Sequence, residues 1–182
     1  MRNPIRPLCA LALFAAACAG QDFPKPAPEL KLQLTSGQEF QLSSLKGKVV
    51  ALEFIFTTCP HCQQLCQTTN KLLPQYLTRG FRAVAIACND GAEWLAPEFA
   101  RQFNLAYPVG IGNVPLMFSF VGMPPKQFRL PQLVFVDRKG MIRARYTGED
   151  AFFNEEETSM RKAIEQYLDE GAPVPAKSRR AK

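Results

Sequence analysis

Cys59-Pro60-His61-Cys62 constrains this chain more than any other stretch, because of what flanks it. Val49-Val50-Ala51-Leu52-Glu53-Phe54-Ile55-Phe56 is a short apolar run of strand type. Beyond the pair, Cys62, Leu65, Cys66, Thr69, Leu72, Leu73 and Tyr76 recur at three- and four-residue intervals, which predicts a helix with one apolar face. Two thiols this close at a strand-to-helix turn can open and close one small disulfide ring, the chemistry of thiol-disulfide exchange. Paired cysteines also serve as ends of unrelated structural bridges or as half of a zinc site. The order strand, CxxC, helix favours the redox use.

The N-terminus carries Arg2 and Arg6, then the apolar run Leu8 to Ala17, then small residues, the build of a secretory signal over residues 1–19. That run is too short to cross a hydrocarbon core of about 30 Å as a helix, so export without a protein anchor is expected. Ala15-Ala16-Ala17-Cys18 is similar to a bacterial lipobox, with Ala15 where Leu is usual, and makes Cys18 a candidate for lipidation and membrane association. Cleavage after Ala19 is the competing reading. Pro24, Pro26 and Pro28 then read as an extended tether over residues 20–29.

A single domain is expected over residues 30–170, followed by a basic, patternless tail over 171–182. The net charge of +6 is accounted for by Arg2, Arg6, Lys177, Arg179, Arg180 and Lys182 at the two ends. The domain between them is near neutral, which argues against nucleic acid as a partner and leaves at most weak attraction of the tail to anionic lipid. With Cys9 in the signal and Cys18 removed or lipidated, the working cysteines are Cys59, Cys62, Cys66 and Cys88. Four are too few for a disulfide-stapled miniprotein, and the length suffices for a core without staples.

Leu30, Leu32 and Leu34 alternate with polar residues, Ser36-Gly37 offers a turn, and Phe40 and Leu42 resume the alternation, which predicts a hairpin. Pro74 should kink or end the helix after Cys59. Phe81 to Cys88 reads as a second buried strand, and Asp90 with Glu93 as a capping box opening a helix through Phe103 that carries Trp94. Leu133 to Val136, the turn Asp137-Arg138-Lys139-Gly140 and Met141 to Tyr146 read as an antiparallel pair. Asn154 with Glu157 predicts the start of a final helix carrying Met160, Ala163, Ile164, Tyr167 and Leu168, with Gly171 as its stop. Between Tyr107 and Arg129 the pattern assigns no element; Val114 to Met123 is apolar but too short to span a membrane.

This order, with CxxC at the strand-to-helix turn, resembles the α/β thioredoxin fold, and the N-terminal β-hairpin extension and central insertion resemble its exported TlpA/ResA-type branch within the redoxins. The resemblance covers about residues 28 to 169. It is carried by Ala27-Pro28-Glu29-Leu30, Leu45-Lys46-Gly47-Lys48-Val49-Val50, Phe56-Thr57-Thr58-Cys59-Pro60-His61-Cys62 and Leu130-Pro131-Gln132-Leu133-Val134-Phe135-Val136-Asp137. The chain departs from the pattern at Thr57-Thr58, where a tryptophan is usual, at the extra Cys66, and at Gln132, where Thr is common. The resemblance implies a thiol-disulfide oxidoreductase whose working group is a redox-active Cys59–Cys62 disulfide, with no further cofactor and no metal. Its partners would be thiols and disulfides of exported proteins and a membrane thiol electron donor.

Exchange needs a thiolate, and a free cysteine near pKa ~8.5 is mostly protonated at neutral pH. Unpaired amides and the positive dipole end of a helix start can stabilise the anion at Cys59, and His61, if protonated, adds charge. Cys62, on the apolar face, is then the resolving thiol. Pro60-His61 resembles the pair found in oxidising members of the fold, whereas the rest of the chain resembles a reductase family, so the direction of electron flow stays open. The resemblance also implies that Glu53, six residues before Cys59, lies beneath Cys62 with a raised pKa and takes its proton, against an exposed strand position as the alternative. It further implies that Leu130-Pro131 is a cis-proline element presenting backbone to substrate. Cys66 and Cys88 read as small core residues.

Three rival readings compete. A copper chaperone of this fold could use Cys59, Cys62, Cys66 and His61, but it needs a distant histidine, and His61 is the single histidine here. A thiol peroxidase needs a Pro and Thr framework that Phe56-Thr57-Thr58 does not supply. A pure binding module using Val114 to Met123 would have no use for an intact CxxC.

Overall fold

A strand covered on both faces needs apolar residues at every position rather than in alternation, and Val49–Ile55, buried along its whole length, meets that demand everywhere but at Glu53. The computed structural model describes residues 23–122 and 128–170. In chain order the elements are β1 (Lys25–Pro26), β2 (Lys31–Leu34), β3 (Glu39–Gln41), β4 (Val49–Ile55), α1 (Pro60–Tyr76), β5 (Phe81–Ala87), α2 (Ala92–Gln102), β6 (Val109–Ile111), α3 (Val114–Val121), β7 (Gln132–Val136), β8 (Met141–Thr147) and α4 (Glu156–Glu170). The strands form one sheet in the order β1-β8-β7-β4-β5-β6-β2-β3. β4 runs parallel to β5 and antiparallel to β7, so Glu53 sits between Ala85 and Leu133.

Two cores result, one on each face. The first joins β4, β5 and β7 to α1, α2 and α4 through Ile55, Leu65, Leu72, Phe81, Phe99, Phe135 and Ile164. The second joins the opposite side chains Val50, Leu52 and Phe54 to the N-terminal segment and α3 through Leu30, Phe40, Met117 and Phe120. The buried residues of α1 are Cys62, Leu65, Cys66, Thr69, Leu72, Leu73 and Tyr76, the face the spacing predicts. The β2–β3 hairpin forms with Leu32 opposite Phe40 and Gly37 at φ 82°, a left-handed turn position that suits glycine. This is the thioredoxin fold with the hairpin extension, and the segment between β5 and β7 carries α2, β6 and α3.

Several local expectations are corrected. The stretch read as a tether enters the sheet: Lys25–Pro26 pairs with Ile142 and Met141, and the Ala27 amide donates to Gly140 O at 2.9 Å. Proline is compatible with such an edge position because its missing donor need not pair. The Asp90/Glu93 capping box does not form; Gly91, at φ 71°, holds the N-cap position of α2, and no side chain caps it. Asn154 lies inside a 3-10 turn over Ala151–Glu155, and α4 starts after it at Glu156. Pro74 sits in the last turn of α1, which ends at Tyr76. The apolar Val114 to Met123 stretch is core cover as far as it is described, with Met117, Phe120 and Val121 buried. The signal, Cys18, Met123, Gly171 and the basic tail lie outside the described residues.

Candidate active site

The central strand β4 ends at Ile55, and α1 begins five residues later at Pro60. Cys59 holds the N-cap position in extended geometry (φ −85°, ψ 119°); its amide donates to Phe56 O at 3.1 Å and its carbonyl accepts from the Gln63 amide at 3.0 Å. Pro60 takes the first helical position, where an amide proton would have no intrahelical acceptor in any case. No side chain caps this end, so the Cys59 sulfur is carried at the positive, donor-rich end of α1. Two bonds hold the approach loop: the Thr57 amide donates to Asn89 Oδ1 at 2.9 Å, and Gln63 Nε2 donates to Thr57 O at 2.9 Å.

The four described cysteines are free thiols of unequal access: Cys59 is half-buried, and Cys62, Cys66 and Cys88 are buried. Burial pushes the Cys62 thiol far above the ordinary cysteine range, and the hydrogen bond it gives to Cys59 and the nearby Glu53 carboxylate add to the effect. Burial alone pushes the Cys88 thiol up to about 12. Pro60 and His61 are exposed. His61 borders a cleft of about 260 Å³ with Gln64, Glu149, Asp150 and Glu156. Burial raises the Glu156 carboxyl, which the hydrogen bond from Thr68 (2.5 Å) and the charge of His61 lower in turn.

Glu53 is wholly buried within an otherwise apolar strand. Thr69 Oγ1 donates to its Oε1 at 2.5 Å, while Tyr107 Oη (2.8 Å) and Cys66 Sγ (3.5 Å) donate to its Oε2. Burial raises the carboxyl to about 7, against the lowering effect of those three hydrogen bonds. A buried carboxylate costs several kcal/mol even when partnered, about what two fully buried aliphatic side chains contribute. A strand built only for packing would carry a seventh apolar residue here, so the acid marks the site.

The Leu130–Pro131 peptide is cis, with Pro131 buried and Leu130 half-buried. Gly148, on the loop after β8, lies against it. Among the described residues, the buried atoms without a hydrogen-bond partner include Thr57 Oγ1, just before Cys59, and Gln132 Oε1, just after Pro131. These are two of the positions at which the sequence departs from the thioredoxin pattern.

The structure gathers Cys59, Pro60, His61 and Cys62 at the start of α1, while Glu53 is hydrogen-bonded further along that helix, to Cys66 and Thr69, and acts on Cys62 through its charge. Cys66 is a core residue, as its spacing implies, and its thiol is turned to Glu53. Among the described residues, no group of three or more His, Cys, Asp and Glu side chains is placed to hold a metal ion. Sequence reasoning missed three contributors. Thr69 was legible only as part of an apolar face, Asn89 only as part of a helix start, and Tyr107, 54 positions from Glu53, gave no signal.

The Redoxin family pattern matches residues 24–164. A thiol-disulfide oxidoreductase ResA from Bacillus cereus is 27% identical over 149 residues, covering 82% of this chain and 78% of its own. A ResA from Geobacillus thermodenitrificans is 29% identical over 148 residues, covering 81% and 76%. Among solved structures, a thiol:disulfide interchange protein of the thioredoxin family from Chlorobium tepidum TLS superposes with a TM-score of 0.69 at 23% identity, covering 82% of this chain and 99% of its own. With both cysteines, the buried acid and the proline element inside the matched region, the chain belongs to the Redoxin family.

Proposed function

We propose that this protein is a thiol-disulfide oxidoreductase that exchanges disulfides with protein substrates through Cys59 and Cys62. The observation that carries the reading is the unequal access of the two thiols, Cys59 half-buried at the start of α1 and Cys62 buried beneath it. In the reducing direction, the Cys59 thiolate attacks a substrate disulfide, forming a mixed disulfide and expelling one substrate thiolate. Cys62 gives its proton to Glu53 and attacks the Cys59 sulfur, closing the Cys59–Cys62 disulfide and expelling the second substrate thiolate. Two electrons pass to the substrate, and the oxidised pair runs the same steps in reverse. Leu130-Pro131 presents backbone to the substrate chain, and the redox disulfide is the working group, with no other cofactor.

The same reading places the protein outside the cytoplasm. Arg2, Arg6 and the Leu8 to Ala17 run support export, and Ala15-Ala16-Ala17-Cys18 supports a lipid on Cys18. No helix among the described residues is long and apolar enough to cross a membrane. The thiol-disulfide oxidoreductase name of the ResA relatives supports exchange with thiols and disulfides, and with the export signal the proposed substrates are exported proteins and the proposed electron source a membrane thiol donor.

The test is a pair of variants in a disulfide-exchange assay. Cys59→Ser abolishes exchange, and Cys62→Ser accumulates mixed disulfides through Cys59; turnover retained by the Cys59 variant sinks the proposal. The direction is read from the reduction potential of the pair in a thiol redox buffer. A value near ~−270 mV identifies a reductase, and one near ~−120 to −180 mV a disulfide donor or isomerase.

A further inference from the structure

Glu53 must be able to hold and release a proton in a site closed to water, and in such a site every change of charge leaves some neighbouring donor or acceptor unpaired unless a partner can turn. The Tyr107 hydroxyl touches two acceptors, Glu53 Oε2 at 2.8 Å and the Cys66 carbonyl at 3.3 Å. With Glu53 ionised, Tyr107, Thr69 and Cys66 all donate to the carboxylate. With Glu53 protonated on Oε2, the carboxyl O–H donates to Tyr107 Oη and the tyrosine O–H swings to the Cys66 carbonyl. One rotation about the tyrosine C–O bond exchanges the two arrangements, and neither the tyrosine hydroxyl nor the new acid proton loses a partner. We infer that Tyr107 is a positioning residue for the exchange reaction: its two-acceptor hydroxyl lets Glu53 change protonation state, and thereby take and return the proton of Cys62. This inference rests on the proposed role of Glu53 as proton acceptor.

The surroundings leave few competitors for that role. The titratable groups that act on Glu53 are Cys66 from α1, Tyr107 ahead of β6, and Glu156 from α4, whose charge opposes ionisation, while Cys62 in turn feels the charge of Glu53. His61 acts on Glu156. Among the described residues no cation is one of them, and the groups that favour the carboxylate are hydrogen-bond donors. Tyr107 is itself buried, and burial first and the neighbouring Glu53 second push its phenol well above the ordinary range. The tyrosine therefore keeps its proton and acts by turning it.

The experiment follows the Glu53 side-chain carboxyl by ¹³C NMR titration in the full chain with Cys59 and Cys62 oxidised, so that no active-site thiol titrates alongside it. Tyr107→Phe keeps the ring in its packing and removes only the hydroxyl. A charge-assisted donor is worth more to the ionised acid than a neutral one is to the protonated acid, so the Glu53 midpoint moves up by about one pH unit. Thr69→Val moves it in the same direction, and Thr69→Ser, which restores a hydroxyl, returns it toward the parent. In the reduced protein, the pH at which the mixed disulfide resolves at half its maximal rate moves up with the Tyr107→Phe midpoint. An unmoved Glu53 midpoint in folded Tyr107→Phe overturns the inference, as does a moved midpoint with an unchanged resolution profile. A parent protein that exchanges no disulfides at all, yet shows the midpoint shift, overturns the proposed function and leaves the coupling of Tyr107 to Glu53 standing.

Discussion

Gly148 is packed so closely on Leu130 that a Cβ at that position would lie 2.0 Å from the Leu130 carbonyl oxygen and 2.6 Å from its carbonyl carbon. Backbone, not a flexible side-chain end, is what such an atom would strike. The loop after β8 therefore fixes the Leu130-Pro131 element from outside, as the Thr57–Asn89 bond fixes the Cys59 loop.

Gly148→Ala should consequently move the Leu130-Pro131 element or unseat the loop after β8. The expected cost is about 1–3 kcal/mol of stability, as for other overpacked sites, together with a loss of exchange rate larger than that of a surface alanine control. Chemical denaturation and a disulfide-exchange assay on the same sample check it. A variant as stable and as active as the parent would show that the contact is not a constraint.

Thiol labelling should follow burial. In the native reduced protein at pH 8, iodoacetamide reacts with Cys59 ahead of Cys62, Cys66 and Cys88, whose thiols burial holds back. Peptide mapping by mass spectrometry reads the order directly. Early labelling of Cys66 would mean that the Glu53 cluster opens to solvent on the labelling timescale.

The Glu53 carboxyl makes a definite prediction for stability against pH. Burial raises it from an ordinary 4.5 to about 7, so the folded protein holds this proton more tightly than the unfolded chain does. Its stabilising contribution is complete below pH 4.5 and is lost as pH rises through 7. The difference amounts to about 3 kcal/mol. Glu53→Gln removes this ionisation, so between pH 5 and pH 8 its urea midpoint should fall less than that of the parent. Parallel curves for the two proteins would contradict the assignment.

Asn89→Ala should act at a distance from its own helix. It removes the acceptor of the part-buried Thr57 amide, which costs about 1–3 kcal/mol when a buried donor is left unpaired. Amide hydrogen exchange at Thr57 should accelerate, and the thermal midpoint should drop. Unchanged protection at Thr57 would show that another group takes over the bond.

Much of this architecture was readable in the chain because the relevant signals are local. The continuous apolar run fixes β4 as a two-sided core strand, the three- and four-residue spacing fixes the buried face of α1, and alternation around Ser36-Gly37 fixes the hairpin. What escaped depends on long-range partners. β6 has three residues, one of them Gly110, and exists because β5 and β2 flank it. The two capping patterns failed for a local reason, since Gly91 supplies the turn that Asp90 was expected to make and a 3-10 turn absorbs Asn154. In the site, the cysteines and the acid declare themselves by type and spacing. Tyr107 does not, because a tyrosine in a loop carries no mark of the carboxylate that it faces.

The placement of the first strand has a mechanical consequence. β1 lies at one edge of the sheet and β2–β3 at the other, and the residues between them cross to bury Leu30 in the second core. Tension arriving through the N-terminus is therefore borne first by two residues of β1, paired with Ile142 and Met141. That pairing is two residues long, and beyond it the chain leads through the buried Leu30 and the β2–β3 hairpin before it reaches the seven-residue strand that precedes Cys59. The strand that leads to Cys59 is thus the last of the first four strands that such a pull would meet.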